Sequence, residues 1–165
     1  MAAAGKAWIG WAVAVVAADQ LTKLAVESFT PEHWERTLIP GLLGLVHRHN
    51  PGAAFGLLAG TSSRWVSISL LIFSVAAVAV LGWLLATGRA GGCLARVGLA
   101  LVLGGAAGNG IDRAVHGGVI DFVDLHAGPY HWPAFNVADA AIVIGAGLVI
   151  LEMFTSKSEV EGGKA

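Results

Sequence analysis

Residues 94 to 113 read LARVGLALVLGGAAGNGIDR, and 94–112 form an apolar run of about 20 residues that as a helix crosses roughly 30 Å of hydrocarbon. Gly104 and Gly108 stand four apart, the spacing that favours tight helix contact in lipid. Asn109 follows and shares a helical face with Asp112 and Arg113. The run is therefore both a membrane span and a carrier of polar chemistry. Three further runs of similar length lie at residues 7–26, 65–86 and 136–154. Spans that alternate in direction bring the end of one and the start of the next to the same side. Asp19 and Lys23 late in the first span, the polar end of the third and Asp139 at the start of the fourth thus gather near one interface.

Composition agrees with this reading. Hydrophobic residues make up 56% of the 165-residue chain and charged residues 13%, with a mean hydropathy of +0.72, against roughly 25% charged in a soluble domain. The expected fold is an all-α integral membrane protein, a four-helix transmembrane bundle forming one domain over residues 1–165. A net charge of -1 gives no basic footprint for nucleic acid. Cys93 is the single cysteine, which excludes an internal disulfide and a cysteine metal cluster. It reads as a small apolar residue rather than a reactive thiol. The first span is read as a retained helix rather than a cleaved signal peptide, since removal would displace Asp19 to Lys23 and leave an odd number of spans.

The long loop, residues 27–64, carries local signals. Glu32, Trp34 and Glu35 between Pro31 and Arg36 predict a short interfacial helix with Trp34 toward lipid. Pro40-Gly41 marks a turn, and Leu45 to Asn50 suits a small hairpin on the membrane surface. Small residues in Asn50-Pro51-Gly52-Ala53-Ala54-Phe55-Gly56 permit close backbone approach to a partner. Trp8, Trp11, Trp65, Trp83 and Trp132 lie near span ends, where tryptophans anchor at interfaces. Lys6, Arg89, Arg96, Lys157 and Lys164 share one side and Arg36, Arg48, Arg64 and Arg113 the other. The first group occupies shorter segments, so both termini are expected in the cytoplasm and the polar constellation faces outward.

A charge deep in a bilayer costs roughly 2.5–3.5 kcal/mol on insertion scales, so acids in or beside spans are functional candidates. Asp19 has Lys23 one turn later and reads as structural. Asp112, beside Asn109 and Arg113, reads the same way. Asp121, in the extended stretch Gly118-Val119-Ile120-Asp121-Phe122-Val123, and Asp139 have no such partner. Asn136 is placed to cap the fourth helix, with Asp139 in its first turn. Asp124 is expected on the opposite strand face, toward solvent. Two acids meeting in a poorly hydrated place share one proton. The ionised carboxylate then takes a proton from water while its protonated partner polarises the scissile carbonyl. Such chemistry requires neither a covalent intermediate nor a metal. His47 and His49, and His126 and His131, lack the one-face helical spacing of a His-Glu-x-x-His metalloprotease, and no Gly-x-Ser-x-Gly elbow is present.

Asp19-Gln20-Leu21-Thr22-Lys23, Asn50 to Gly56, Gly108-Asn109-Gly110-Ile111-Asp112-Arg113, Val119-Ile120-Asp121-Phe122 and Phe135-Asn136-Val137-Ala138-Asp139 together resemble, in order, the five motif blocks of the lipoprotein signal peptidases, or signal peptidase II. The resemblance implies a bacterial inner-membrane aspartic endopeptidase with a small extracytoplasmic β-cradle. It implies cleavage of prolipoproteins just before a diacylglyceryl-modified cysteine, and inhibition by the cyclic peptide globomycin. By matching position, Asp121 and Asp139 become the catalytic pair. Asp19, Lys23, Asn50, Gly108, Asn109, Asp112, Arg113, Asn136 and Ala138 are implied to shape the site and hold substrate. Pro51 stands where the family often has Thr, and Gly110 where a larger apolar residue is usual. These departures bear on substrate fit, through a lost backbone donor beside Asn50 and a looser end to the third span.

The partners expected are the lipid-modified substrate and membrane lipid, for a monomer without cofactor. The long loop is expected to close over bound substrate. The main rival is a proton- or ion-coupled transporter subunit, since acids, amides and an Arg at one level also suit an ion path. Four short spans without a broken helix or repeat weigh against it. A non-catalytic assembly subunit is the third alternative.

Overall fold

A computed structural model describes residues 7–52 and 64–162. The element order is α1 (Ala7–Phe29), β1 (Glu35–Ile39), β2 (Leu43–Asn50), α2 (Arg64–Ala86), α3 (Cys93–His116), β3 (Val119–Ala127), β4 (Tyr130–His131) and α4 (Val137–Gly162). Among the described residues, four helices are long and apolar enough to cross a membrane, at the places the apolar runs predict. Their outer surfaces carry large apolar side chains, among them Trp11, Leu24, Phe73, Ile144 and Phe154. An exposed apolar area so distributed is tolerable only against lipid. Four of the tryptophans predicted as anchors, Trp11, Trp65, Trp83 and Trp132, are exposed, whereas Trp8 packs against the small inner cluster of Leu85, Ala90 and Ala100.

Helix α3 is the hub and packs against each of the other three. Half of its most apolar window is buried, against 11–22% in the other helices. Small residues make this possible. A Cβ on Gly98 would stand 2.5 Å from the backbone oxygen of Gly145 on α4, and one on Gly104 would stand 2.8 Å from that of Ala12 on α1. The hub is thus held by close backbone approach, the means by which helices associate where lipid removes the hydrophobic drive. Gly110 does not loosen α3, which continues to His116. Its missing side chain admits Ser74 of α2, whose Cβ lies 3.3 Å from where a Cβ on Gly110 would stand. At the other end, Glu152 of α4 accepts the Leu94 and Ala95 backbone N–H groups at 3.1 and 3.3 Å, supplying the cap that Gly92 lacks.

Four antiparallel strands in the order β1-β2-β3-β4 form one small sheet. The interfacial helix expected over residues 31–36 is not formed. Backbone pairing wins there: His33 N–H donates to His47 O at 2.9 Å and His47 N–H to Trp34 O at 2.8 Å, leading the chain into β1. The predicted turn at Pro40-Gly41 is present, with Gly41 at φ +76°, the left-handed region that favours glycine. Residues 53–56 of the small-residue block and Lys6 and Lys164 lie outside the described residues, and so do the side chains of Arg64 and Lys157.

Gly98→Ala is expected to separate α3 from α4 and cost about 1–3 kcal/mol, the usual range for overpacking. Thermal unfolding in detergent measures this, and an unchanged midpoint would contradict the close-approach account.

Candidate active site

The site begins with an ion cluster between α1 and α3. Lys23 Nζ lies 2.7 Å from Asp19 Oδ2 and 2.7 Å from Asp112 Oδ2, with all three side chains buried. The Asp19–Lys23 pairing expected one turn apart is present. Asp112, however, pairs with Lys23 rather than with the neighbouring Arg113. Successive residues on a helix point about 100° apart, so the adjacent cation faces elsewhere. Arg113 instead donates to Asn109 O at 3.2 Å and Gly52 O at 3.4 Å. Gln20 was missed as a site residue. Its Nε2 donates to Asp112 Oδ1 at 2.8 Å and to Gly108 O at 3.3 Å, and the available signal was an amide inside an apolar span.

Lys23 also donates to Asn109 Oδ1 at 3.0 Å. An ammonium has only donors, so this contact fixes which end of the Asn109 amide faces it. The Nδ2 end is thereby turned to Asp139 and donates to Oδ1 at 2.8 Å. Asn136 repeats the device. Its Oδ1 accepts the Asp139 backbone N–H at 2.9 Å, the predicted N-cap, and its Nδ2 donates to Asp121 Oδ1 at 2.8 Å. Asn50 does so a third time, accepting Gly52 N–H at 2.9 Å and donating to Asp121 Oδ2 at 2.9 Å. Each amide carbonyl is claimed by an obligate donor, so each NH2 is presented to a carboxylate.

The fold brings these residues together from distant parts of the chain. Asn50 pairs with Val119 across β2 and β3, which makes Asp121 its diagonal neighbour. Phe135 pairs with Val123, its N–H and carbonyl bonded to that residue at 3.1 and 2.8 Å, and this pins the entry to α4 beside β3. Ala138, fully buried, donates its N–H to Asp19 Oδ1 at 2.9 Å. A Cβ on Gly108 would meet Asp19 Oδ2 at 2.5 Å, so only glycine leaves room for that carboxylate.

Asp121 is 3% exposed. Burial pushes its carboxyl up to about 7; the nearby Asp139 adds to the rise and the amides of Asn50 and Asn136 oppose it. Asp124 differs from expectation. It does turn to the other face of β3, but it is buried there, under His131 at 2.9 Å and beside His126. Against α4, Leu125, Trp132, Phe135, Val143 and Ile144 line an apolar groove of ≈ 490 Å³ in which Asp139 is the one ionisable lining residue among those described.

The family described as Signal peptidase (SPase) II matches residues 11–155 of the chain. A lipoprotein signal peptidase of Syntrophotalea carbinolica is 46% identical over 140 residues, covering 85% of this chain and 86% of its own. One of Ralstonia nicotianae is 47% identical over 147 residues, covering 88% and 82%. A solved bacterial membrane enzyme superposes with a TM-score of 0.81 at 30% identity, over 93% of this chain and 90% of that one.

Lys23→Met is expected to leave Asp19 and Asp112 as uncompensated buried charges, at a cost of about 3–5 kcal/mol. Thermal unfolding in detergent reads it out; a variant as stable as the parent would show that the cluster does not hold α1 to α3.

Proposed function

The chain belongs to the signal peptidase II family, aspartic proteases of the membrane, and from that premise we propose that it removes the signal peptide from diacylglyceryl-modified prolipoproteins with Asp121 and Asp139 as the catalytic pair. Cleavage falls just before the lipidated cysteine. The observation that carries the reading is the set of three oriented amides, which direct donors from Asn50 and Asn136 to Asp121 and from Asn109 to Asp139.

Two carboxyls so held, one lifted by burial to about 7, keep a single proton between them at neutral pH. The ionised member takes a proton from the attacking water while the protonated member donates to the scissile carbonyl oxygen. The resulting tetrahedral intermediate collapses as the first carboxyl gives its proton to the leaving amine and the second takes one back from a hydroxyl of the intermediate, so the C–N bond breaks, the carbonyl re-forms and the pair regains its starting protonation. The pair titrates as a unit, so neither aspartate is the sole owner of the proton. Asp19, Lys23, Asp112 and Gln20 position Asn109 and the start of α4. Arg113, Gly108 and Ala138 shape the surrounding backbone.

In this reading the substrate's acyl chains lie in the apolar groove on α4, which puts the scissile peptide beside Asp139. The protein works as a monomer in the bacterial inner membrane, both termini in the cytoplasm and the sheet outward as a cradle. Arg89 and Arg96, near the α2–α3 connection at the far end from the sheet, support that sidedness. Family membership does not favour the transporter reading.

Asp121→Asn and Asp139→Asn are each expected to lower cleavage of a diacylglyceryl-modified prolipoprotein about 10²–10⁴-fold, the span of lost acid–base catalysis. A gel-shift assay with purified protein in detergent measures it; near-parental cleavage by either variant would mean that other acids act. With the Asp121 carboxyl lifted by burial to about 7, the rate should fall as pH rises through that value and the pair loses its shared proton. It should fall again in acid, when the base is protonated. A flat profile over roughly pH 6 to 9 would contradict a shared proton.

A further inference from the structure

We propose that Asp124, His126 and His131 form a binding site for a divalent transition-metal ion of the zinc type, on the face of β3 opposite Asp121. Helical spacing is the wrong measure for these histidines. His126 and His131 are direct partners across the β3–β4 hairpin, and Asp124, two residues before His126, shares their strand face. One ligand atom from each of the three residues lies within 4.8 Å of the other two.

The geometry is close to what an ion needs. Ligands about 2.0–2.1 Å from a tetrahedral zinc stand roughly 3.3 Å from one another. His126 Nδ1 lies 3.3 Å from Asp124 Oδ2 and His131 Nδ1 2.9 Å from Asp124 Oδ1. Both separations are close to that spacing. The two imidazoles are stacked, with centroids 4.7 Å apart.

A second observation points the same way. His126 Nδ1 is buried and has no hydrogen-bond partner among the described residues, although it faces a carboxylate. Buried ring nitrogens are normally satisfied, and an ion between Nδ1 and the carboxylate would satisfy this one. Imidazole with carboxylate suits zinc, and with three protein ligands a fourth position stays open. The three residues line a pocket of ≈ 180 Å³ together with Glu35, Arg36 and Thr37 of β1, where Glu35 is already paired with Arg48 at 2.9 Å.

A metal here would staple the two-residue strand β4 to β3. Trp132 to Phe135, which line the apolar groove, follow β4 directly. The ion would thus stiffen the groove wall without entering the reaction.

The test is a titration of untagged protein, stripped of metal and held in detergent, with Zn²⁺ against a chromophoric chelator. One equivalent should bind per chain. Affinity should fall in His131→Ala and Asp124→Asn by at least the 10- to 100-fold that even outer-shell changes produce, and should hold in His116→Ala. His131 is half exposed, so its replacement leaves the fold intact. Zn²⁺ should also raise the thermal midpoint of the parent and not that of His131→Ala. Absence of stoichiometric binding by the parent, or undiminished affinity in His131→Ala, would overturn the proposal.

Discussion

Lys23 places one ammonium, almost fully buried, between two carboxylates and an amide oxygen, and much of the site depends on that arrangement. Removing three charges from water costs several kcal/mol each, and attraction alone repays this only with good geometry and further hydrogen bonds. Here the remaining oxygens are engaged: Asp19 Oδ1 by the Ala138 N–H and Asp112 Oδ1 by Gln20. The cluster therefore joins α1, α3 and the first turn of α4. Its directional consequence is chemical. Because Lys23 can only donate, the Asn109 amide can present only donors to Asp139.

The same logic passes through the backbone to Asp121. The α4 N-cap claims the carbonyl of Asn136, and the Gly52 N–H claims that of Asn50. Strand pairing then delivers Asp121 to the amides, since Phe135 bonds to Val123, two residues after it, and Asn50 pairs with Val119, two residues before it. A helix terminus and a strand from different parts of the chain meet with little tolerance for error. Glycines make the approach possible, because Gly105 faces the Ala138 carbonyl and Gly108 the Asp19 carboxylate at distances no side chain permits.

Much of this was legible in the sequence. Runs of about 20 apolar residues announce spans because a bilayer leaves few alternatives. Asn136 as a cap and the Asp19–Lys23 pair are local, within one helical turn. Non-local pairing was harder to read. Residues 31–36 have the composition of an amphipathic turn of helix, yet His47 supplies backbone partners that a sequence window cannot see. Asp112 beside Arg113 suggested a pair along the chain, while the partner came from another helix. Asp124 was placed on the correct strand face but expected in water, because the β4 histidines that cover it follow only after the hairpin turns. The five motif blocks conveyed the aspartates as a resemblance; the oriented amides became visible only with side chains in place.

The most direct test of the account is the protonation state of Asp121 itself. Infrared difference spectroscopy on the detergent-solubilised protein should show a protonated carboxyl just below neutral pH that titrates at about 7 and disappears in Asp121→Asn. A spectrum with no protonated carboxyl there, or one whose signal survives in Asp121→Asn, would contradict the claim that the oriented amides hold a proton-sharing pair.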